Sequence, residues 1–204
     1  MQVFGQVAGK LLGPMAVEGA IEVLAGLYFQ SGQQADMMHA FTHDSEFVEL
    51  MDDPIDWRVE RFEEFSIARL YAILAARVAV FVVEQDCPYQ DLDGLDDRGL
   101  HVSGWSGGDV LAYARVLPPG ERFAEPSIGR VLTARSARRT GLGRELMRRS
   151  IRTAETRYPG QALRISAQQY LERFYAELGF ETVSEPYPED GIPHVEMFRA
   201  ARSE

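Results

Sequence analysis

The chain of 204 residues is poor in cysteine and lacks long apolar runs, and both absences narrow its class. Its single cysteine, Cys87, rules out an intrachain disulfide framework and a zinc site built from cysteine ligands. Because disulfides belong to oxidising compartments, this scarcity favours the cytoplasm. No stretch approaches the roughly 18 uncharged apolar residues of a membrane-spanning helix, so we expect no membrane partner.

Basic charge is also scarce in one part of the chain. Residues 1–56 carry one basic and nine acidic side chains, a balance of −8, whereas residues 57–204 carry 20 basic and 22 acidic ones, a balance of −2. The arginines concentrate between residues 130 and 157. This overall balance argues against a nucleic-acid partner, and a small ligand that carries phosphates explains the local arginines equally well.

A basic turn with two glycines joins a predicted strand to a predicted helix. Residues 127–133 are rich in β-branched and apolar side chains, and from Leu142 onward the apolar residues follow the helical period. Gly141 and Gly143 leave the backbone open to a ligand, and the unpaired N–H groups of a first helical turn attract phosphate oxygens. The turn therefore predicts a pyrophosphate site, although an ordinary turn with surface arginines fits too. Neither a P-loop nor a dinucleotide fingerprint is present.

A second strand and helix follow this helix. Residues 162–167 predict a strand, and residues 168–178 predict a helix that ends at Gly179. The order strand, helix, strand, helix predicts a parallel strand pair with ligand chemistry at the carboxyl ends of the strands. The last helix carries Phe174 and Tyr175, and a phenol with an ordinary pKa near 10 can protonate a departing thiolate.

Shorter patterns complete the predicted elements. A hairpin is expected from strands at 102–105 and 110–116, and closing strands are expected at 182–184 and 194–198. Ser66 is a plausible N-cap for a helix over residues 66–81. This helix is expected to pack on the sheet through an apolar stripe that comprises Ile67, Leu70, Tyr71, Leu74, Val78 and Phe81.

The pattern R-x-x-G-x-G followed by F-Y-x-x-x-G-F resembles the GNAT superfamily of N-acetyltransferases. Segments 80–89, 91–94, 112–120 and 189–197 resemble its ElaA-like subgroup, in the same order and at the same spacings. The resemblance covers about residues 57–200. It implies an α/β (α+β) fold with a central mixed, mostly antiparallel sheet, a splayed parallel strand pair and flanking helices. Residues 1–56 are then an N-terminal extension or linker of unknown role, and residues 57–204 a GNAT domain.

The resemblance also implies a coenzyme site for acyl-CoA, with acetyl-CoA as the default donor. A strand is expected to pair with the pantetheine arm through its backbone, and the basic turn is expected to hold the pyrophosphate. The residues at the coenzyme positions are Val131, Leu132, Thr133, Arg138, Arg139, Thr140, Gly141, Leu142, Gly143, Arg144 and Gln168. Arg139 stands where the family often has glycine, so its side chain must point outward. Gln168 replaces a common asparagine and can make similar hydrogen bonds.

An acidic segment, residues 84–97, contains six carboxylates that could line the acceptor pocket and attract a protonated amine. Glu84 and Asp86 are assigned to the pocket, and the other four are expected to be solvated turn residues. Asp91-x-Asp93-Gly94 lacks the full spacing of a calcium loop, so no metal site is expected.

Attack on a thioester needs a neutral amine, so a base must remove a proton from the ammonium form. Three candidates stay open. Histidine has an ordinary pKa near 6.5, which suits His194 and His101, and Glu84 qualifies if burial raises its pKa. Cys87 has no histidine beside it in sequence, so we expect it to be buried or pocket-lining and not an acyl carrier.

The sequence therefore predicts an enzyme that transfers acetyl from acetyl-CoA to a primary amine of a small molecule or peptide. Direct attack in a ternary complex is implied by the resemblance, which also matches Tyr175 to the general acid. A non-catalytic, acyl-CoA-binding regulatory module is the alternative. An acyl-homoserine-lactone-type synthase shares the fold, but the F-Y-x-x-x-G-F match argues against it. A homodimer is compatible with the sequence, and the oligomeric state stays open.

Overall fold

The computed structural model describes residues 55–201, so nearly all of the predicted N-terminal extension lies outside the described residues. The strands of the described part are β1 (Asp56–Arg61), β2 (Leu100–Ser106), β3 (Asp109–Leu117), β4 (Ser127–Thr133), β5 (Leu163–Gln168), β6 (Glu181–Thr182), β7 (Tyr187–Glu189) and β8 (Ile192–Arg199). The helices are α1 (Ile67–Arg77), α2 (Leu142–Arg157) and α3 (Glu172–Ala176), and a π-helical segment (Val78–Glu84) continues α1. Within this part, no helix has the length and apolarity to cross a bilayer.

The strands form one mixed sheet in the order β1-β2-β3-β4-β5-β8-β6, with β7 paired to β8. Every neighbouring pair is antiparallel except β4 and β5, which are parallel. This confirms the expected mixed, mostly antiparallel sheet. In the part of the chain that the structure describes, β4 and β5 pair only where Ser127 meets Arg164. The two strands therefore separate toward their carboxyl ends.

A bulge interrupts β4 on the carboxyl side of its single pair with β5. The register of β3 against β4 shifts between Tyr113 and Arg115, where two residues of β4 oppose one of β3. Within the bulge Arg130 has a φ of +54°, in the left-handed region that residues other than glycine rarely adopt. A bulge bends its strand and redirects the backbone groups next to it. The β5-facing edge of β4 consequently opens onto a gap in the sheet.

Helix α2 connects β4 to β5, as the strand–helix–strand order predicts, and packs mainly on β2, β3 and β4. Its buried side chains are Leu146, Met147, Ser150, Ile151 and Ala154. They join a core that includes Val102 and Val116 on one side of the gap and Ile165 and Met197 on the other. Side-chain packing thus connects the two halves of the sheet where backbone pairing is sparse.

The predicted buried face of the first helix was largely wrong. The side chains that α1 and its π-helical continuation bury are Ile73, Arg77 and Phe81, and only Phe81 belongs to the expected stripe. Ile67 and Tyr71 are instead 89% and 75% exposed. The reason is Arg77, which shares the buried face with Ile73 but counts as polar in a sequence pattern. Because Arg77 is read as polar, the apolar residues of the sequence define a stripe on a different side of the helix from the side that is buried.

Candidate active site

A cleft of about 1000 Å³, open solvent at its mouth included, occupies the gap between β4 and β5. Its walls come from β4, β5, α3, the β7–β8 hairpin and the segment before β2, and among the lining residues are Val131, Ser166, Gln168, Tyr175, Glu189, His194, Cys87 and Tyr89. Cys87 is 6% exposed, and its thiol lies 2.9 Å from the Asp190 carbonyl oxygen. Burial raises the pKa of this thiol, which agrees with the expectation of a pocket-lining residue and not an acyl carrier.

Tyr175 lines the cleft from α3. It is 6% exposed, and its ring packs edge-on against Phe174 at 5.0 Å and Phe180 at 6.2 Å between centroids. The F-Y-x-x-x-G-F pattern produces this packing, because Gly179 with a φ of +87° ends the helical turns and lets Phe180 fold back. Burial raises the pKa of Tyr175, so the phenol is protonated at neutral pH. Its hydroxyl has no hydrogen-bond partner among residues 55–201 and is available to a ligand.

His194 lines the same cleft from β8, where it faces Gln168 of β5 across the register. Its Nδ1 lies 2.8 Å from the Ile192 carbonyl oxygen. A carbonyl only accepts hydrogen bonds, so Nδ1 carries the hydrogen and Nε2 of the neutral ring bears the lone pair. The ring also stacks on Tyr187, with centroids 6.3 Å apart. The cleft therefore combines a protonated phenol with a basic ring nitrogen.

A polar wall next to His194 was not assigned a role from the sequence. The Ser166 hydroxyl contacts the Tyr187 hydroxyl at 2.6 Å and donates to a Glu189 carboxylate oxygen at 2.7 Å. Glu189 also pairs with Arg122 at 2.6 Å. Burial would raise the pKa of Glu189, but the Ser166 hydrogen bond and the Arg122 charge lower it. The wall thus presents an ionised carboxylate to the cleft, and only the 189–197 motif hinted at it.

The basic turn has the backbone geometry of an anion site. Gly141, with a φ of +90°, precedes α2 without any side-chain cap, and its carbonyl accepts from the amides of Arg144 and Glu145. Within the described residues, the amides of Leu142 and Gly143 have no backbone partner. A Cβ at Gly143 would lie 3.2 Å from Thr133 Oγ1, so a side chain there is crowded. The turn therefore offers free N–H groups at a helix N-terminus.

The other predicted coenzyme residues surround this turn and the cleft. Val131 and Gln168 line the cleft, whereas the Leu132 side chain is 3% exposed and belongs to the core, leaving only its backbone for a ligand. Arg139 is exposed with a φ of +67°, so its side chain does point outward. Arg144 pairs with Glu177 at 2.6 Å.

Glu84 is not positioned as the sequence suggested. Its carboxylate accepts two hydrogen bonds from the Arg138 guanidinium, at 2.6 and 2.9 Å, and it is absent from the cleft lining. The hydrogen bond from Arg138 lowers the pKa of Glu84, opposite to the rise that a general base would need. Glu84 and Asp86, which the sequence assigned to the acceptor pocket, are both exposed, and neither is among the residues that line this cleft.

His101 is also unsuited to take a proton from an amine. It is 1% exposed, its Nδ1 lies 2.7 Å from the Tyr113 hydroxyl, and its Nε2 lies 2.8 Å from the Asp96 carbonyl oxygen. Burial lowers the pKa of His101, so its ring is neutral and structural. Of the three candidate bases, His194 alone lines the cleft.

Three of the four carboxylates expected to be solvated are instead bound by arginines. Arg77 contacts Asp91 at 2.9 Å and Asp96 at 2.7 Å. Arg115 contacts both Asp93 and Asp96 at 2.6 Å. Arg130 of the β4 bulge closes the network, which we call the Arg–Asp cluster, by contacting Asp91 at 2.8 Å and Asp93 at 3.1 Å.

The Arg–Asp cluster holds the acidic segment against the sheet. Burial would raise the pKa of Asp93 and Asp96, but hydrogen bonds and charge from Arg115 and Arg77 lower both. Arg115, Arg130 and Tyr89 line the cleft, so the cluster supports one of its walls. Its contacts also fix the side chain of Arg130, the residue with the left-handed backbone at the bulge.

Comparison with known proteins identifies the family. The sequence profile of an acetyltransferase (GNAT) domain matches residues 73–200. Protein ElaA of Escherichia coli is 42% identical over 147 residues, which cover 71% of this chain and 96% of ElaA. The crystal structure of an acyl-CoA N-acyltransferase from Pseudomonas aeruginosa is 42% identical, with a TM-score of 0.69, and covers 72% of this chain and 99% of that one. The crystal structure of Escherichia coli ElaA is 40% identical, with a TM-score of 0.67, and covers 71% of this chain and 99% of the ElaA chain. The chain therefore belongs to the GNAT acetyltransferase family and to its ElaA-like subgroup.

Proposed function

We propose that the chain is an acyl-CoA-dependent N-acyltransferase, with residues 57–204 as its catalytic domain. It transfers acetyl from acetyl-CoA to a primary amine of a small molecule or peptide by direct attack in a ternary complex. The observation that carries the proposal is the placement of Tyr175 and His194 on one cleft between the splayed strands. The similar Pseudomonas aeruginosa protein is named an acyl-CoA N-acyltransferase, which supports the same reaction class.

The residues present suit a coenzyme with a diphosphate and an amide-containing arm. The turn Arg138–Gly143 and Arg144 provide free amides and positive charge for the diphosphate, and the unpaired edge of β4 provides backbone groups for the arm. The side-chain amide of Gln168 adds a polar group on the opposite wall. Acetyl-CoA, when bound, supplies the thioester that the amine attacks.

The protons are then moved by two side chains of the cleft. Nε2 of His194 accepts the proton of the ammonium group, directly or through a water, and produces the nucleophile. The Tyr175 hydroxyl donates a proton to the sulfur as the carbon–sulfur bond breaks. Backbone N–H groups at the β4 bulge stabilise the negative charge that develops on the carbonyl oxygen. The carboxylate of Glu189, next to His194, favours a cationic acceptor.

Tyr175→Phe tests this assignment, because it removes the hydroxyl and keeps the buried ring. We expect kcat for acetylation of a responsive amine to fall by about 10²- to 10⁴-fold. Affinity for CoA, measured by calorimetry, is expected to stay the same. Tyr71→Phe is the matched control, since Tyr71 is 75% exposed on α1 and does not line the cleft.

Three outcomes separate the alternatives. A broad amine panel with continuous detection of free CoA would first identify an acceptor for the wild-type protein. If the protein binds acetyl-CoA but acetylates no amine, the non-catalytic acyl-CoA-binding module replaces the enzyme. If calorimetry detects no affinity for CoA, the coenzyme assignment itself is refuted.

A further inference from the structure

The end of the π-helical segment contacts the proposed coenzyme site. Glu84 is the last residue of this segment, and its two carboxylate oxygens accept from the two terminal nitrogens of Arg138 at 2.6 and 2.9 Å. The Nε of Arg138 also donates to the Thr133 carbonyl oxygen at 3.1 Å, at the end of β4. All three nitrogens of this guanidinium are therefore engaged within the protein.

The next residue, Gln85, likewise contacts a side chain of the cleft, this time on β5. The Gln85 side chain accepts a hydrogen bond from Gln168 Nε2 at 3.3 Å. Two consecutive residues thus bind two side chains that the proposed function assigns to the coenzyme. Single π-helical turns within helices occur frequently at functional sites. Here the segment brings Glu84 to Arg138 across 54 residues of sequence.

A bidentate carboxylate and a phosphate need the same guanidinium edge. A guanidinium binds both kinds of anion through a fork of two parallel N–H groups, and the terminal nitrogens of Arg138 already bind Glu84. Arg139, in contrast, has no ion pair among the described residues. A diphosphate that uses the fork of Arg138 must therefore exchange with the Glu84 carboxylate.

We propose that Glu84 is a displaceable counterion, which occupies Arg138 until the diphosphate of the coenzyme takes its place. This inference rests on the proposed function, because it assumes that the basic turn binds acyl-CoA. The diphosphate must then displace the Glu84 carboxylate from Arg138, and this lowers the affinity for the coenzyme. The pair is well placed for this role because both side chains are partly exposed, 38% for Arg138 and 39% for Glu84. Ion pairs with such exposure are weak enough to be exchanged.

Glu84→Gln tests the exchange by removing the charge while keeping the shape. The dissociation constant of CoA is measured by calorimetry on the full-length protein and its variants. We expect Glu84→Gln to bind CoA about two- to fivefold more tightly than the wild type, which is the range of an exposed ion pair. In an Arg138→Gln background, Glu84→Gln should give no gain, because the competing pair is already absent.

Glu125→Gln provides the matched control. Glu125 is bound by Arg164 through two hydrogen bonds of 2.9 and 3.0 Å, and it does not line the cleft. Its substitution also removes one negative charge and should leave the CoA affinity unchanged. Circular dichroism of each variant establishes that the fold is retained.

Two results would overturn the inference while leaving the proposed function in place. One is an unchanged CoA affinity in Glu84→Gln. The other is an equal gain with and without Arg138, which would mean that Glu84 acts only through long-range charge. A wild-type protein without any affinity for CoA would refute the inference and the proposed function together.

Discussion

Arg77 is the residue whose replacement most directly tests the Arg–Asp cluster. Its side chain is 1% exposed, and it bonds to the Asp91 and Asp96 carboxylates and to the Asp91 carbonyl oxygen, at 2.7 to 3.0 Å. Arg77→Met keeps much of the length and apolar volume of the side chain but removes the charge and every donor. Two carboxylates, whose side chains are only 3% (Asp91) and 12% (Asp96) exposed, would then each lose a partner.

The cost follows from which partners remain. Removing one member of a buried ion pair typically costs about 3 to 5 kcal/mol. Asp91 would still have Arg130 at 2.8 Å, and Asp96 would still have Arg115 at 2.6 Å. The loss is therefore expected near the lower limit, about 3 kcal/mol. Domains of this kind have about 5 to 15 kcal/mol of total stability, so the variant should fold but unfold at a clearly lower urea concentration.

Urea unfolding followed by fluorescence and by circular dichroism measures this difference. The control is Arg98→Met, because the contact of Arg98 with Glu121 is similarly short, 2.8 Å, but its side chain is 54% exposed. This control should lose less than about 1 kcal/mol. Equal losses of unfolding free energy in the two variants, or a loss below about 1 kcal/mol for Arg77→Met, would refute the conclusion that the cluster stabilises the fold because it is buried.

Two further predictions concern acid stability and the basic turn. The pKa values of Asp93 and Asp96 are lowered in the fold, so their contribution to stability is complete above the unfolded value near 3.9. This contribution is lost as the pH falls through the lowered pKa values of the folded state. The urea concentration at the unfolding midpoint, measured at pH 7, 4 and 3, should therefore fall more steeply in the wild type than in Asp96→Asn. An equal decrease of the midpoint in the two proteins would contradict this. Gly141→Ala places a Cβ at a φ of +90° and should cost about 1 to 2 kcal/mol of unfolding free energy. Gly129→Ala, with an ordinary φ and open space, should cost less, and the reverse order in thermal unfolding would refute this reasoning.

The part of the fold that depends on local pattern was predicted well. The strand expected at 127–133 coincides with β4, and the helix expected from Leu142 begins there. The spacing of the apolar residues and the residue types at the turns determine such elements, and both can be read from a few neighbouring positions. Strands β1 and β7 were not predicted, because short or charged strands carry little of this pattern and form through their pairing with β2 and β8.

The contacts across long sequence separations could not be predicted in the same way. Arg77 and its partner Asp96 lie 19 residues apart, and nothing local indicates that an arginine is buried. Arg138 and Glu84 were each identified as functional candidates, but their pairing across 54 residues was not expected. The motif at 174–180 was more informative, because Tyr175 does line the cleft.

The narrow junction between β4 and β5 has a mechanical consequence. Because one residue pair joins the half-sheets within the described chain, widening the gap breaks few backbone hydrogen bonds. The two half-sheets share one apolar core, in which Met147 and Ile151 of α2 belong to the same cluster as Ile165 and Met197. The bulk of these core residues, which do not line the cleft, then helps to set how far apart the two walls of the cleft stand.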